Sequence, residues 1–238
     1  MINFREYFIH KTISDMKIFN FESPILEVGC GTGELLELIA KNWVARGIDL
    51  SKEASAIAQQ KGLEVKVCNL FDYEEKVNSI VCTDVIEHVK DDFGFVQHLY
   101  ETLNTNGKLF VLVPSGKMLK DDVFYGHYRR YSKKAIVKLL ERNNFTVESV
   151  EMFGYPILHY LRLFINGVTE IELNDSGDIN KNTVKSSYDN AFGKTIFAKL
   201  AKVSIINSLL SKLLCIQDFF KGGQKGLAVI VIAKKGGG

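Results

Sequence analysis

The stretch Pro24-Ile25-Leu26-Glu27-Val28-Gly29-Cys30-Gly31-Thr32-Gly33-Glu34-Leu35-Leu36-Glu37-Leu38-Ile39-Ala40 decides the fold. Ile25, Leu26 and Val28 form a short apolar run, Gly29 to Gly33 a glycine-rich turn, and Leu35, Leu36, Leu38 and Ile39 a helical apolar pattern. This order predicts a buried strand, a tight turn and a helix. Glycines let the chain double back at such a turn, and they let a ligand approach the backbone where no Cβ stands in the way. The stretch therefore reads as a cradle for a small molecule.

Charge narrows the choice of ligand. A dinucleotide fingerprint starting at Gly29 would need glycine at position 34, with a pyrophosphate resting on the helix N-terminus. Position 34 is Glu34, whose carboxylate takes the positive helix end for itself and repels a phosphate. No Gly-Lys-Ser/Thr follows, which excludes a P-loop. About 20 residues beyond the first glycine, an acid that accepts from ribose hydroxyls is expected. There the run Val44-Ala45-Arg46-Gly47-Ile48 predicts a second strand ending in Asp49. A ribose acceptor without a phosphate site points to an adenosine-type ligand.

Three segments, Glu27-Val28-Gly29-Cys30-Gly31-Thr32-Gly33, Gly47-Ile48-Asp49-Leu50-Ser51 and Asp84-Val85-Ile86-Glu87-His88-Val89, stand in an order and spacing that resembles the class I S-adenosylmethionine-dependent methyltransferases. The resemblance runs from Pro24 to Met152 and includes the last strand, and it fades between Gly154 and Gly226. It implies an α/β fold: a Rossmann-like, doubly wound seven-stranded sheet, mostly parallel, with the last strand antiparallel beside strand six. It also implies S-adenosylmethionine as cofactor, S-adenosylhomocysteine as product, and cofactor contacts at Glu27, Gly29, Cys30, Gly31, Gly33, Asp49, Leu50, Asn69, Leu70, Asp84 and Val85. An acid near position 69 often accepts from the adenine amino group in this family. Here it is Asn69, whose carbonyl could do the same or whose amide could face away, and Leu70 is expected to pack on the adenine face.

Composition sets outer bounds. The 238 residues fit a single domain with room for an insertion, and 46% hydrophobic with 24% charged residues is ordinary for a globular protein. Thirty basic against 28 acidic residues leave a net charge of +2, no field for tracking a phosphate backbone, so no nucleic-acid partner is expected. The apolar runs fall short of the ~18 residues a membrane span needs. The N-terminal MINFREYFIHK lacks the core of a signal peptide. Cys30, Cys68, Cys82 and Cys215 are scattered without a C-x-x-C pair, as expected of small core residues rather than a zinc or disulfide framework. A cytoplasmic monomer or homodimer with a small-molecule methyl acceptor follows as the expectation.

Along the chain, Phe4 to Phe19 carries a helical stripe (Phe4, Tyr7, Phe8, Ile13, Met16, Ile18), expected to lie over the cofactor end of the sheet, with Tyr7, His10 and Lys11 as candidate ligand contacts. A helix over Glu53–Gln60, capped by Ser51 and stopped at Gly62, leads to strand three at Glu64–Cys68 and strand four at Ser79–Thr83. A helix over Asp92–Thr102 precedes strand five at Lys108–Val113, and a helix over Lys133–Arg142 precedes strand six at Phe145–Met152. The final strand, Gly226–Ala233, is continuously apolar and therefore buried. The domain plan is an N-terminal helix (1–22), a core (23–153 and 226–235), a helical lid (154–225) and a disordered tail (236–238). In the lid, Ile157–Val168 and Phe192–Phe220 have helical apolar spacing on either side of a polar stretch.

Two further features concern the acceptor. The chain has no proline between Pro24 and Pro114, so the Asp/Asn-Pro-Pro-aromatic of adenine and glutamine methyltransferases is missing, and Glu87 stands without the second glutamate of protein-arginine methylation. The loop after strand five reads Gly126-His127-Tyr128-Arg129-Arg130-Tyr131-Ser132. Ser132 as N-cap and Tyr131 before it account for a helix start, but not for the crowd of histidine, tyrosine and arginines on a loop that opens on the cleft. The motif resembles a subgroup of bacterial methyltransferases that act on sugars, lipids or secondary metabolites.

Methyl transfer from a sulfonium needs alignment and, for a hydroxyl or ammonium acceptor, removal of a proton, for which histidine is suited. His127 and His88 are the candidate bases, and Glu87, Tyr128, Arg129, Arg130 and Tyr155 the candidate acceptor contacts. No two histidines share helical ligand spacing, so no metal is expected. The leading reading is transfer to an oxygen, less favourably a nitrogen, of a small molecule. Two others remain open: a cofactor-binding module without catalysis, acting through the insertion on a protein partner, and an RNA methyltransferase.

Overall fold

The computed structural model describes residues 4–119, 122–123, 125–156, 159–160 and 219–236. In chain order they form α1 (Phe4–Ile18), β1 (Ile25–Val28), α2 (Glu34–Ala40), β2 (Ala45–Asp49), α3 (Lys52–Gln60), β3 (Val65–Val67), β4 (Val77–Thr83), α4 (Asp92–Thr102), β5 (Leu103–Pro114), α5 (Lys133–Arg142), β6 (Phe145–Phe153) and β7 (Ala228–Lys235). The seven strands make one sheet in the order β3-β2-β1-β4-β5-β7-β6. Strands β1 to β5 pair in parallel, and β7 runs antiparallel between β5 and β6. The chain winds outward from β1 to β3, then returns to β4 on the other side of β1. That reversal puts the carboxyl ends of β1 and β4 side by side, where ligands gather in such sheets.

Alternation along the central strands assigns two faces. Leu26, Val28, Ile80, Cys82, Leu109, Val111, Val113, Val229 and Val231 face α4 and α5 and pack on Phe95, Val96, Leu99, Ile136 and Leu140. Ile25, Val81, Phe110, Leu112, Ile230 and Ile232 face α1 and α2 and pack on Ile9, Met16, Leu35 and Ile39. Because both faces are covered, Leu109–Val113 of β5 and Ala228–Ala233 of β7 read as unbroken apolar runs rather than alternating ones. Ser51 and Ser132 cap α3 and α5 as expected, their side chains accepting from the N–H groups of Ala54 and Ala135 at 3.2 Å.

Several bounds differ from the sequence reading, among them β4, which begins at Val77 rather than Ser79, and β7, which runs Ala228–Lys235 rather than Gly226–Ala233. Strand β5 begins at Leu103, not Lys108, because Leu103 pairs with Val77 directly after α4 and its side chain enters the core. Helix α1 lies along a face of the sheet, and only its N-terminal part reaches the carboxyl edge, where Phe8 meets Phe153 edge to face at 5.8 Å. His10 on this helix is exposed, and Lys11 is tied to Asp15 at 3.0 Å and Glu151 at 3.1 Å. Most of the expected lid, including both of its helical patterns up to residue 218, falls outside the described residues. Among the described residues, no helix is long and apolar enough to cross a membrane.

Gly47 shows how tightly β2 is packed behind the glycine turn. A Cβ there would sit 2.6 Å from Cys30 Sγ and 2.9 Å from Leu36 Cδ2. We expect Gly47→Ala to destabilise the fold by about 1–3 kcal/mol, as overpacking of a filled core does, measured by denaturant unfolding. An unchanged midpoint would mean that α2 yields freely.

Candidate active site

The glycine turn is held by the strand beside it. The N–H groups of Gly29 and Cys30 both donate to the Ile48 carbonyl, at 2.8 and 3.1 Å. Asp49, buried at the end of β2, accepts from Gly31 N–H at 2.8 Å through Oδ2 and from Ser51 N–H at 2.7 Å through Oδ1. Burial lifts the Asp49 pKa, while the donors at Ser51, Gly31 and Leu50 pull it back. Gly29, Gly31 and Gly33 all take positive φ (76°, 52° and 79°), the region where glycine alone is unstrained. A Cβ on Gly29 would collide with the Val85 side chain, so the turn is seated directly on the end of β4. At Gly33, a Cβ would meet Ala58 of α3 at 2.9 Å, so this glycine serves helix packing.

The other expected cofactor contacts are spread around this turn. Glu27 is buried in β1, and Cys30 is a buried thiol whose pKa is pushed up by loss of solvent and by Glu27 and Asp49. Leu50 is exposed. Asn69 turns its side-chain oxygen onto Phe71 N–H at 3.2 Å, capping a short 3-10 turn over Leu70–Asp72. Leu70 is buried in the core, and the apolar group open to solvent here is Phe71, which the sequence reading did not single out.

Beyond β4 the chain is strained. Asp84 has φ 53°, uncommon for a non-glycine residue and a mark of functional sites when the surroundings hold it in place. Its N–H donates to the Leu112 carbonyl at 3.0 Å. The Asp84 side chain opens on solvent at the floor of the cleft yet is walled by protein elsewhere. That partial desolvation raises its pKa to about 6, against the pull of His127 and Arg130. A 3-10 turn over Ile86–His88 follows. Glu87 within it is 0% exposed, and neither carboxyl oxygen has a hydrogen-bond partner. Burial first, and then Asp84, raise its pKa well above the ordinary glutamate value.

The loop after β5 meets this turn face to face. Tyr128 N–H donates to the Glu87 carbonyl at 2.8 Å, and the rings of His88 and His127 meet edge to face at 4.6 Å. His88 is lowered to about 4 by desolvation and by His127, offset by a hydrogen bond with the Gly126 carbonyl, and is neutral at physiological pH. Side-chain ligand atoms of Glu87, His88 and His127 lie within 4.8 Å of one another, close enough to share a proton or a cation.

A residue absent from the sequence reading organises this loop. Asp122, 1% exposed, places Oδ1 at 3.2 Å from His127 Nδ1, with an angle short of a hydrogen bond. Its Oδ2 accepts from Arg130 Nε at 2.9 Å and from Leu119 N–H at 2.7 Å. Arg130 also donates to the Ser115 carbonyl. Arg129 pairs with Asp92 at 2.5 Å and donates to the Lys90 carbonyl at 2.7 Å, and Tyr131 donates to the same Asp92 at 2.8 Å. Both arginines thus fasten the loop to its neighbours, while Tyr128 is 59% exposed. Tyr155 stands apart in an aromatic group with His159, Tyr160 and Phe220.

A doubly wound sheet with an antiparallel β7, a glycine turn after β1 and an acid closing β2 defines a class I S-adenosylmethionine-dependent methyltransferase. Residues 1–150 match a family model described as "Methyltransferase domain", and the chain belongs to that family. Among curated proteins it is 25% identical over 166 residues to a ubiquinone biosynthesis O-methyltransferase of Vibrio vulnificus, covering 59% of this chain and 68% of the relative. A protein of the same name from Histophilus somni is 33% identical over 104 residues, 37% of this chain and 44% of the relative. The fold is also that of phosphoethanolamine N-methyltransferase 2 from Haemonchus contortus, solved with S-adenosylhomocysteine (TM-score 0.59, 18% identity). This chain is covered to 96% but spans only 53% of that one. A SAM-dependent methyltransferase from Archaeoglobus fulgidus matches over 95% of this chain and 94% of its own (TM-score 0.57, 16% identity).

Glu87 makes a prediction that needs no ligand. With its folded pKa above the unfolded value, the folded state binds more protons, so this group's contribution to stability falls as pH rises above the ordinary glutamate range. Glu87→Gln removes that decline. The melting temperature of the variant should gain on the wild type between pH 5 and pH 8, and a constant difference across that range would refute the assignment.

Proposed function

We propose that this protein transfers a methyl group from S-adenosylmethionine to an oxygen of a small-molecule acceptor, with His127 as the base. The donor set fits the cofactor: acids rather than phosphate-binding groups stand at the strand ends, Asp49 beside the glycine turn for a ribose diol and Asp84 for a cation. When bound, the cofactor supplies a methyl carbon on a sulfonium, a leaving group that needs no protonation. The chain then has to align an acceptor oxygen and remove its proton.

The observation that carries the reading is the placement of His127 between buried Asp122 and the cleft. Asp122 faces Nδ1 at 3.2 Å and orients the ring, which leaves Nε2 as the nitrogen to take the acceptor's proton. His88, held neutral at the edge of the same ring, adds no charge to oppose that step. Tyr128, exposed at the mouth, and Tyr155 are proposed to meet the acceptor, and Arg129 and Arg130 to hold the loop that shapes its pocket. The O-methyltransferase names of the curated relatives support oxygen over nitrogen as the acceptor atom. The free thiols Cys30, Cys68 and Cys82 support a reducing, cytoplasmic setting.

Isothermal titration tests the cofactor half. Asp49→Ala should weaken S-adenosylmethionine binding at least about tenfold, the loss of a charge-assisted hydrogen bond or more, and equal binding would sink the assignment. For the base, His127→Ala should lower kcat by about 10²–10⁴ while leaving cofactor affinity within about twofold, the range of general base catalysis. Full activity in that variant would move the role to His88 or to water.

A further inference from the structure

The sheet order places β2, with Asp49, and β5, with the His127 loop, on opposite sides of the β1–β4 boundary. On the proposed reading, the ribose end of the cofactor lies at the first and the acceptor at the second. The reacting centre then falls between them, at the end of β4. The residue standing there is Asp84, exposed and at positive φ, with its N–H bonded to the Leu112 carbonyl. The surroundings are mixed in charge, with His127 and Arg130 near the carboxyl of Asp84 and further acids around it. Glu87 is wholly buried and unpartnered behind it, and Cys82 beneath lies in the field of Glu87, Asp84 and Glu27, which together with burial pushes its thiol pKa up. The guanidinium near this group, Arg130, is already bound to Asp122 and Ser115.

A site that carries out this reaction binds two forms of nearly the same molecule. The substrate form carries a sulfonium charge, and the product form is a neutral thioether. We infer that Asp84 makes the cleft prefer the charged cofactor over its neutral product, a selectivity role that rests on the cofactor reading above. An acid that served only to bind the amino group of the methionyl part, which both forms carry, would favour them equally. The positive φ at Asp84 turns the chain out of the strand direction at the carboxyl edge of the sheet, where the residue is exposed.

The test compares dissociation constants for S-adenosylmethionine and S-adenosylhomocysteine, by titration calorimetry at pH 8, for wild type, Asp84→Asn and Glu87→Gln. Asparagine tolerates positive φ, and both ligands see the same folded fraction, so the ratio of the two constants is insensitive to stability. Asp84→Asn should shift that ratio against S-adenosylmethionine by about tenfold, the effect of one unit charge a few ångströms away in a half-exposed site, with S-adenosylhomocysteine binding little changed. Glu87→Gln, which replaces a carboxyl that burial holds towards its neutral form, should shift it little, and a shift as large as that of Asp84→Asn would move the role to Glu87 and overturn the inference. Equal weakening of both ligands in Asp84→Asn places the residue on the amino group and overturns the inference while leaving the cofactor reading intact. A preference lost in EDTA and restored by Mg²⁺ assigns it to a cation on Glu87, His88 and His127 instead, and also overturns it. Wild type that binds neither ligand removes the cofactor reading, and the inference falls with it.

Discussion

The geometry of the cleft depends first on one carboxylate. Asp49 receives two backbone N–H groups, Gly31 from the turn after β1 and Ser51 from the start of α3. A buried carboxylate is costly unless such donors surround it, and charge-assisted bonds to backbone N–H are among the stronger ones a protein makes. By engaging both oxygens, Asp49 makes the position of one turn depend on the other. The packing behind it enforces the same coupling, since a Cβ at Gly47, two residues before Asp49 in β2, would collide with both Cys30 of the turn and Leu36 of α2. Turn, strand and helix therefore form one rigid piece whose remaining surface faces the cleft.

The opposite wall is built on a different principle. The described residues between Ser115 and Ser132 have little regular structure, and their arrangement comes from side chains that reach backbone and acids elsewhere. Asp122 gathers Arg130, His127 and the Leu119 N–H, and Asp92 gathers Arg129 and Tyr131. The two walls meet at the end of β4. Val85 packs on Gly29 of the first, and the Glu87 carbonyl takes Tyr128 N–H of the second. A displacement of Asp84–His88 would thus be felt on both sides, which suits a site that must align two molecules.

Most of the framework could be read from residues alone because periodicity and glycine placement are local signals. The strand run, the turn and the acid at the expected distance identified β1, β2 and Asp49, and the apolar run at Gly226–Ala233 identified β7. The start of β5 was hidden because Asn104 to Gly107 carry turn-forming residues, while pairing with Val77 is a tertiary contact. The arginines of His127-Tyr128-Arg129-Arg130-Tyr131 showed as a crowd of charge, but a sequence does not say which acids answer them. Asp92 opens its own helix far upstream, directly after the N-cap Asp91, and Asp122 sits in a stretch without pattern. The meeting of Glu87, His88 and His127 was equally invisible, because a helix and a strand lie between the histidines.

The acids at the strand ends differ in a way that bears on function. Asp49 ends β2 with ordinary backbone angles and two donors. Asp84 follows β4 in an unfavourable conformation, and the Glu87 carboxyl beside it lacks a hydrogen-bond partner. Strain and unsatisfied burial each cost about 1–3 kcal/mol, and in a marginally stable domain such costs persist at one point only where the surroundings hold them or function requires them. Packing does not explain them, since an asparagine or glycine would relieve the turn at position 84 and an apolar residue would fill position 87. What those replacements would remove is negative charge, or the capacity to acquire it, at the boundary between the cofactor wall and the acceptor wall. The first acid builds the cleft, and the other two set its electrostatics.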